Sequence, residues 1–337
     1  MGSPTKWGII GSGHISSDFV NALKVASFKD EHQVIAVAAR NINSAQDFAT
    51  KFDIPQAYCG YDELAANQEI DVVYIGTIHP VHLPLTKMLI NAGKSVLCEK
   101  PMAMNVKETQ EMVDLAREKG VFLMEAMWSW FNPAHKKLKE ELASGKIGEV
   151  FQVNVKFGAD LSGVKWLGVK EQGGGATLAM GIYVVAFSQL VFGGQEPSKI
   201  VANGHLNPDE VDESFGAVLT YPGGKTATST VQTRVEMPCE AEVFGTKGSA
   251  KLHAPFWAPR ELSFNDKEKT SFDYIESEIP FNYTNSSYLS LEAQHVRECL
   301  LKDLKESPVV TLNDSLLFAK IMESIRKQIG VNYPQDE

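Results

Sequence analysis

The sequence predicts an α/β chain in two parts. A doubly wound parallel sheet occupies residues 1–126, and an α+β domain with a large, mostly antiparallel open sheet occupies 127–337. Three observations carry this. An apolar run (Trp7, Ile9, Ile10) leads into Gly11-Ser12-Gly13 and then a stretch of helical spacing with Ile15, Phe19, Ala22 and Leu23 apolar. Continuous apolar runs then alternate with amphipathic helical segments as far as Met124, the pattern of a parallel sheet covered on both faces. After Trp130 the period changes to two, and 337 residues exceed one typical core.

In the first part, strands are expected at Gln33–Ala39, Asp71–Ile75, Ser95–Cys98 and Val121–Met124. Helices are expected at His14–Lys24, at Ser44–Phe52 with Ser44 near its cap, at Val81–Ala92 ended by Gly93, and at Val106–Lys119 ended by Gly120. In the second part, Asn132–Ala143 reads as a helix. Glu149–Phe157 alternates strictly, with Phe151, Val153, Val155 and Phe157 on one face, and similar runs follow at 199–202, 215–221, 227–235 and 241–244. These predict an antiparallel meander, interrupted by a helix at Ala176–Phe192 and closed by helices near Tyr288–Lys302 and Leu312–Ile329. Residues 159–175, rich in Gly, read as a loop that borders a site. A large sheet with one bare face needs a cover, and a homodimer through that face is the simplest expectation.

Net charge is −10 with no basic tract, which argues against nucleic acid or an anionic membrane as the main partner. No apolar run is expected to reach the ~20 residues of a membrane span. The first strand starts by Lys6, so no signal peptide is expected, and Lys6 stands where an N-myristoylation signal after Met1-Gly2 needs Ser or Thr. Cys59, Cys98, Cys239 and Cys299 are scattered and read as reduced thiols of a cytoplasmic protein.

The opening strand, Gly-rich turn and helix form a candidate dinucleotide site, with Gly11, Ser12, Gly13, His14 and Ile15 at the phosphates and free N–H groups at the helix start. Ser16 stands where a third Gly or Ala is usual. The second strand ends Ala38-Ala39-Arg40-Asn41, without the acid that accepts from a ribose 2′-OH. Arg40 instead offers a guanidinium for a 2′-phosphate, which predicts NADP over NAD. Thr77, His79 and His82 follow one strand end, and Glu99-Lys100-Pro101 another, where the nicotinamide half should reach. The Lys100 cation suits a substrate hydroxyl and lowers the pKa of a neighbouring acid. Taken alone, Lys100 and Glu99 read equally as an ion pair. No acid or thiol completes a metal set around His79 and His82, so a structural or cofactor-lining role is expected and no metal.

Together, Gly11-Ser12-Gly13, His79-Pro80 with His82, Glu99-Lys100-Pro101, Glu125-Ala126-Met127-Trp128 and Gly181-Ile182-Tyr183 resemble the glucose-fructose oxidoreductase / inositol dehydrogenase family. The resemblance runs from Trp7 to Asp336. It implies an NADP-dependent enzyme passing a hydride between nicotinamide C4 and the carbinol or carbonyl carbon of a trans-dihydrodiol, a sugar or a dicarbonyl. It also implies Tyr183 as the acid/base, assisted by Lys100, with Trp128, Phe157 and Trp257 lining the substrate pocket. From spacing alone, Tyr183 reads as a buried helix tyrosine and the large aromatics as core.

Two positions depart from the pattern. Trp130 stands where relatives usually have Arg, and Ala179 where they have Asp. The second expectation is therefore an NADP(H)-binding sensor or scaffold without turnover.

Overall fold

The structure, a computed structural model, describes residues 3–25 and 27–337; Met1 and Gly2, the start of any N-myristoylation signal, lie outside them. The chain divides into two compact units. The first comprises residues up to Ala103, Lys107–Trp128 and Tyr274–Ser315; the second comprises Met104–Val106, Ser129–Asp273 and Leu316–Glu337. The main cut between them falls after Trp128. The return of Tyr274–Ser315 to the first unit leaves no mark in the local pattern, because it is made by tertiary contacts: Arg297 binds Glu31 and the Thr5 hydroxyl, and the Asn21 amide donates to the Ile279 carbonyl.

The first unit carries β1 (Thr5–Ile10), α1 (His14–Leu23), β2 (His32–Ala39), α2 (Ile42–Phe52), β3 (Gln56–Cys59), α3 (Asp62–Ala66), β4 (Val72–Ile75), α4 (His82–Asn91), β5 (Ser95–Glu99), α5 (Val106–Lys119) and β6 (Leu123–Ala126). All six strands are parallel, in the order β3-β2-β1-β4-β5-β6. The order reverses beside β1, so the carboxyl ends of β1 and β4 flank a crevice. The elements β3 and α3 are short and escaped the sequence pattern. Ser44 is not the α2 cap; Asn41 is, its side chain accepting from the Asn43 N–H. The last strand begins two residues later than expected, since Gly120 and Val121 still close α5.

The second unit carries α6 (Pro133–Ala143), β7 (Val150–Gly158), α7 (Ile182–Phe192), β8 (Lys199–Leu206), β9 (Asp212–Tyr221), β10 (Lys225–Gln232), β11 (Ala241–Gly245), β12 (Gly248–Leu252), β13 (Glu261–Phe264) and β14 (Glu268–Ser271). Its sheet runs β14-β13-β12-β11-β7-β10-β9-β8. It is not a pure antiparallel meander, for β7 and β10 pair in parallel, Val153 opposite Ala227. The chain closes with α8 (Leu289–Leu301), in the first unit, and α9 (Leu312–Ile329). Val153, Val155, Ala217, Leu219, Ala227 and Val243 point to the core, and α7, buried nearly all round, packs on that face. The stretch Lys170–Phe192 does have the length and apolar character of a membrane span, contrary to expectation; 83% of its most apolar window is buried inside the protein, as in a core helix. The expected helix from Ala176 begins as a π-helical turn, Thr177–Gly181.

Buried His32 ties α8 to the sheet. The Trp7 indole N–H donates to its Nδ1 at 3.1 Å, and its Nε2 lies 3.1 Å from Gln294 Oε1. Burial, with Arg297 nearby and against the Gln294 bond and Glu31, pushes its pKa down to about 4. The unfolded chain therefore takes up this proton first. His32 contributes stability that is whole above pH ~6.5 and is lost as pH falls toward the folded value. In chemical denaturation, the stability advantage of wild type over His32→Gln should shrink by about 3 kcal/mol between those limits. An advantage that does not vary with pH would contradict it.

Candidate active site

In the first unit, sterics fix the Gly-rich turn. Gly11 has φ +98°, and a Cβ there would meet the Gly76 carbonyl at 2.5 Å. Ser16 replaces the usual third glycine, and its hydroxyl donates to the Gly76 carbonyl at 3.3 Å, over a residue kept small by that contact. Gly13 differs. A Cβ there would meet nothing within 4 Å, so packing does not demand glycine, and the space over its backbone is open to a ligand. Gly13 is also the N-cap of α1, with no side-chain cap, which leaves the N–H groups of the first turn for an anion. Thr77, after β4, has a buried hydroxyl without a hydrogen-bond partner. A backbone cradle, an uncapped helix start and an orphaned hydroxyl on adjacent strand ends fit a dinucleotide. Arg40 is exposed at the end of β2; burial raises the pKa of the nearby Tyr61 phenol, and the Arg40 charge opposes that rise.

The segment around Asn282, beside α1, was missed by the sequence reading. Asp18 is buried and accepts from the Asn282 and Tyr283 N–H groups at 2.8 and 2.9 Å, and the Tyr283 ring lies 6.4 Å from that of His14. The polar pattern around 282 offers no sign of this, since its partner is 264 residues away.

The Thr77–His82 and Glu99–Pro101 segments are cross-braced. His82 is fully buried, with Nδ1 3.0 Å from the Pro101 carbonyl and Nε2 3.2 Å from the Thr77 carbonyl. Burial lowers its pKa, so the neutral ring donates to one of them. Both nitrogens are engaged, which makes His82 a brace for the two loops. His79 is buried too, its ring 5.8 Å from that of His82.

Lys100 is half-buried at the end of β5. Burial pushes its pKa down, against the carboxylates of Glu99 and Glu125 that raise it. Glu99 is itself buried; it accepts from the Tyr74 hydroxyl at 2.7 Å and the Lys100 N–H at 3.2 Å, and burial raises its pKa. Glu125 accepts from the Met102 N–H at 2.8 Å, and burial raises its pKa to about 7. Glu292 on α8 is fully buried with neither oxygen hydrogen-bonded, and burial raises its pKa well above the usual carboxylate range, with a further push from Glu99. A buried carboxyl without a partner keeps its proton. The environment is that of a tuned lysine rather than of a surface ion pair.

In the second unit, Tyr183 lies one residue into α7, buried, its ring 5.9 Å from Phe157 and 6.2 Å from Trp257. Phe157 and Trp257 stack at 4.1 Å with planes 12° apart, and Phe256 meets Phe157 edge-on. The structure thus gathers three of the four residues expected at substrate or proton in one unit. Trp128, buried, belongs to the other. Trp130, buried, packs edge-on against Phe318 of α9 at 5.5 Å and so fills core space.

The comparisons decide the family. Residues 5–127 match the oxidoreductase family with an NAD-binding Rossmann fold, and residues 135–251 match the GFO/IDH/MocA C-terminal domain. The chain belongs to the GFO/IDH/MocA oxidoreductase family. It is 46% identical over 332 residues to trans-1,2-dihydrobenzene-1,2-diol dehydrogenase of Mus musculus, covering 98% of this chain and 99% of the relative. To the protein of that name from Danio rerio it is 45% identical, with 98% of each covered. Among solved structures, aldose-aldose oxidoreductase from Caulobacter crescentus, complexed with glycerol, matches with a TM-score of 0.81 at 22% identity, over 96% of this chain and 97% of that one. KijD10, a 3-ketoreductase from Actinomadura kijaniata in complex with NADP and TDP-benzene, matches with a TM-score of 0.81 at 23% identity, over 97% and 98%. These two likenesses show the fold. The family resemblance drawn from the motifs is shown, and the protein is a member of an oxidoreductase family with an NAD-binding domain.

Proposed function

We propose that the protein is an NADP-dependent dehydrogenase or reductase acting on CH–OH groups, with a trans-dihydrodiol, a sugar or a dicarbonyl as substrate. The observation that carries this is the Lys100 environment, a half-buried lysine depressed by burial at a strand end of the dinucleotide-binding unit. The names of the full-length relatives support the diol, and the bound NADP of structural neighbours supports the cofactor.

Gly11, Ser12, Gly13, His14 and Ile15 would hold the pyrophosphate, Arg40 the 2′-phosphate, and Thr77, His79, His82, Glu99 and Lys100 the nicotinamide half. When bound, the cofactor supplies or accepts a hydride. In oxidation the Tyr183 oxygen takes the proton of the carbinol hydroxyl; in reduction its phenol returns a proton to the carbonyl oxygen. The Lys100 ammonium favours the phenolate and holds the substrate oxygen. Phe157 and Trp257, with Trp128, supply an apolar wall for a ring substrate. The test is NADP+ reduction, followed at the nicotinamide absorbance, across diols, aldoses and dicarbonyls. Turnover of a panel member supports the enzyme. Tight NADPH binding with no turnover supports the sensor, which the missing carboxylate at Ala179 favours.

Arg40→Ala is expected to weaken NADPH binding by about 10- to 100-fold, the range of a charge-assisted contact, and to leave NADH binding unchanged. Equal affinity of wild type and variant for NADPH would defeat the 2′-phosphate assignment.

The protein is further proposed to be a cytoplasmic homodimer. All four cysteines are free, as in a reducing compartment. The open sheet face carries exposed Val201 and Val218, paired across β8 and β9, with exposed Phe244 on β11 among Thr and Asn side chains. A monomer in sedimentation at micromolar concentration would remove the dimer.

A further inference from the structure

The turn that leads into Tyr183 is unusual, and what holds it lies far away in sequence. A π-helical turn is rare, so it persists where the surroundings impose it. Here two supports meet over one residue, Gly175. From β9, buried Asp212 accepts with Oδ2 both the Thr177 N–H at 2.7 Å and the Thr177 hydroxyl at 2.6 Å. From the segment after α9, the Tyr333 hydroxyl donates to the Gly174 carbonyl. A Cβ on Gly175 would lie 2.4 Å from Asp212 Oδ1 and 2.8 Å from the Tyr333 oxygen, so no side chain fits between them.

Tyr333 is itself clamped. Fully buried Arg326 grips both carboxylate oxygens of Asp336 at 2.5 Å, and Asp336 accepts the Tyr333 N–H at 2.9 Å. The Asn105 amide donates to the Gln335 carbonyl and to Asp336, and the Arg326 guanidinium stands 5.3 Å over the Tyr333 ring. Leu178, inside the π-turn, packs with Met104, Val331 and Tyr333. At the far end of the turn, Gly181 lies against the Phe215 ring, 3.0 Å from where its Cβ would be. An arginine buried outright for a six-residue surface strap is a costly arrangement, and the strap ends on the backbone that aims Tyr183.

We infer that Asp212 and Tyr333 are positioning residues for Tyr183, fixing the register of the Thr177–Gly181 turn so that the segment 331–336 is a working part of the site. This rests on Tyr183 being the acid/base. Neither group touches the reacting atoms; both act through the direction in which α7 presents its second residue.

The test uses the full-length enzyme with NADP+ and trans-1,2-dihydrobenzene-1,2-diol, measuring kcat, KM, NADPH affinity and thermal midpoint. Tyr333→Phe and Thr177→Val each remove one hydrogen bond with little change in volume, and Asp212→Ala removes two. A misplaced reacting group costs up to about 100-fold, so kcat should fall about 10-fold in the first two and more in the third, with KM and NADPH affinity unchanged. Thr177→Ser and Asp212→Asn keep the contacts and should restore turnover. In a Tyr183→Phe background, Asp212→Ala should cause no further loss. A lower thermal midpoint with wild-type kcat in the folded enzyme would overturn the inference, and Tyr333→Phe decides it even where Asp212→Ala fails to fold. If Tyr183→Phe itself keeps full turnover, the acid/base assignment falls and the inference with it. If Tyr183→Phe abolishes turnover while Tyr333→Phe and Thr177→Val do not lower it, only the positioning falls.

Discussion

Tyr183→Phe is expected to lower kcat by about 10²- to 10⁴-fold, the range for loss of a general acid/base, while NADPH binding stays as in wild type. The substitution removes one oxygen from a ring whose packing against Phe157 and Trp257 does not depend on it. The fold and the aromatic wall should therefore survive, and the loss should fall on kcat rather than on KM. Because the cofactor turn belongs to the other unit, a joint loss of NADPH affinity would mean that the variant acts through the fold and not through the proton.

Lys100→Met is the second large effect. It removes the cation and leaves a side chain of similar length, so Glu99 and Glu125, whose pKa values burial raises, lose the charge that partly offsets that rise. In steady-state kinetics, kcat for diol oxidation should fall about 10²-fold, as for other removed charge-stabilising groups. Its acidic limb should also move to higher pH by about one to three pH units. The sign follows from the chemistry: oxidation uses the phenolate, a nearby ammonium lowers the phenol's pKa, and its removal raises that pKa. A profile that keeps its position would show that Lys100 does not act on the ionisation of the proton-transfer group.

Much of the fold was legible in the sequence because it rests on local pattern. Apolar strands between amphipathic helices marked the first sheet, and strict alternation in β7 marked the second. What escaped was set by distant partners or by brevity. The strands β3 and β12–β14 are four or five residues long and, unlike the equally short β4, carry no continuous apolar run. Helix α8 carries Glu292 at a position that any solvated helix could hold, and only its burial near Glu99 makes it part of a proton-holding cluster. The site was legible where backbone geometry dictates residue type, as at Gly11. It was illegible where a side chain acts across the chain, as Asp212 does on Thr177, 35 residues away. Trp130 was readable as a departure, but its meaning needed Phe318 beside it.

The central claim is that the Lys100 amine and the Tyr183 phenol serve one proton-transfer step. A double-mutant cycle on kcat for NADP+-dependent diol oxidation tests it most directly. The account predicts that Lys100→Met costs much less in the Tyr183→Phe background than in wild type, since the ammonium has no phenol left to act on and only its hold on the substrate oxygen remains to be lost. Losses that simply multiply would contradict it.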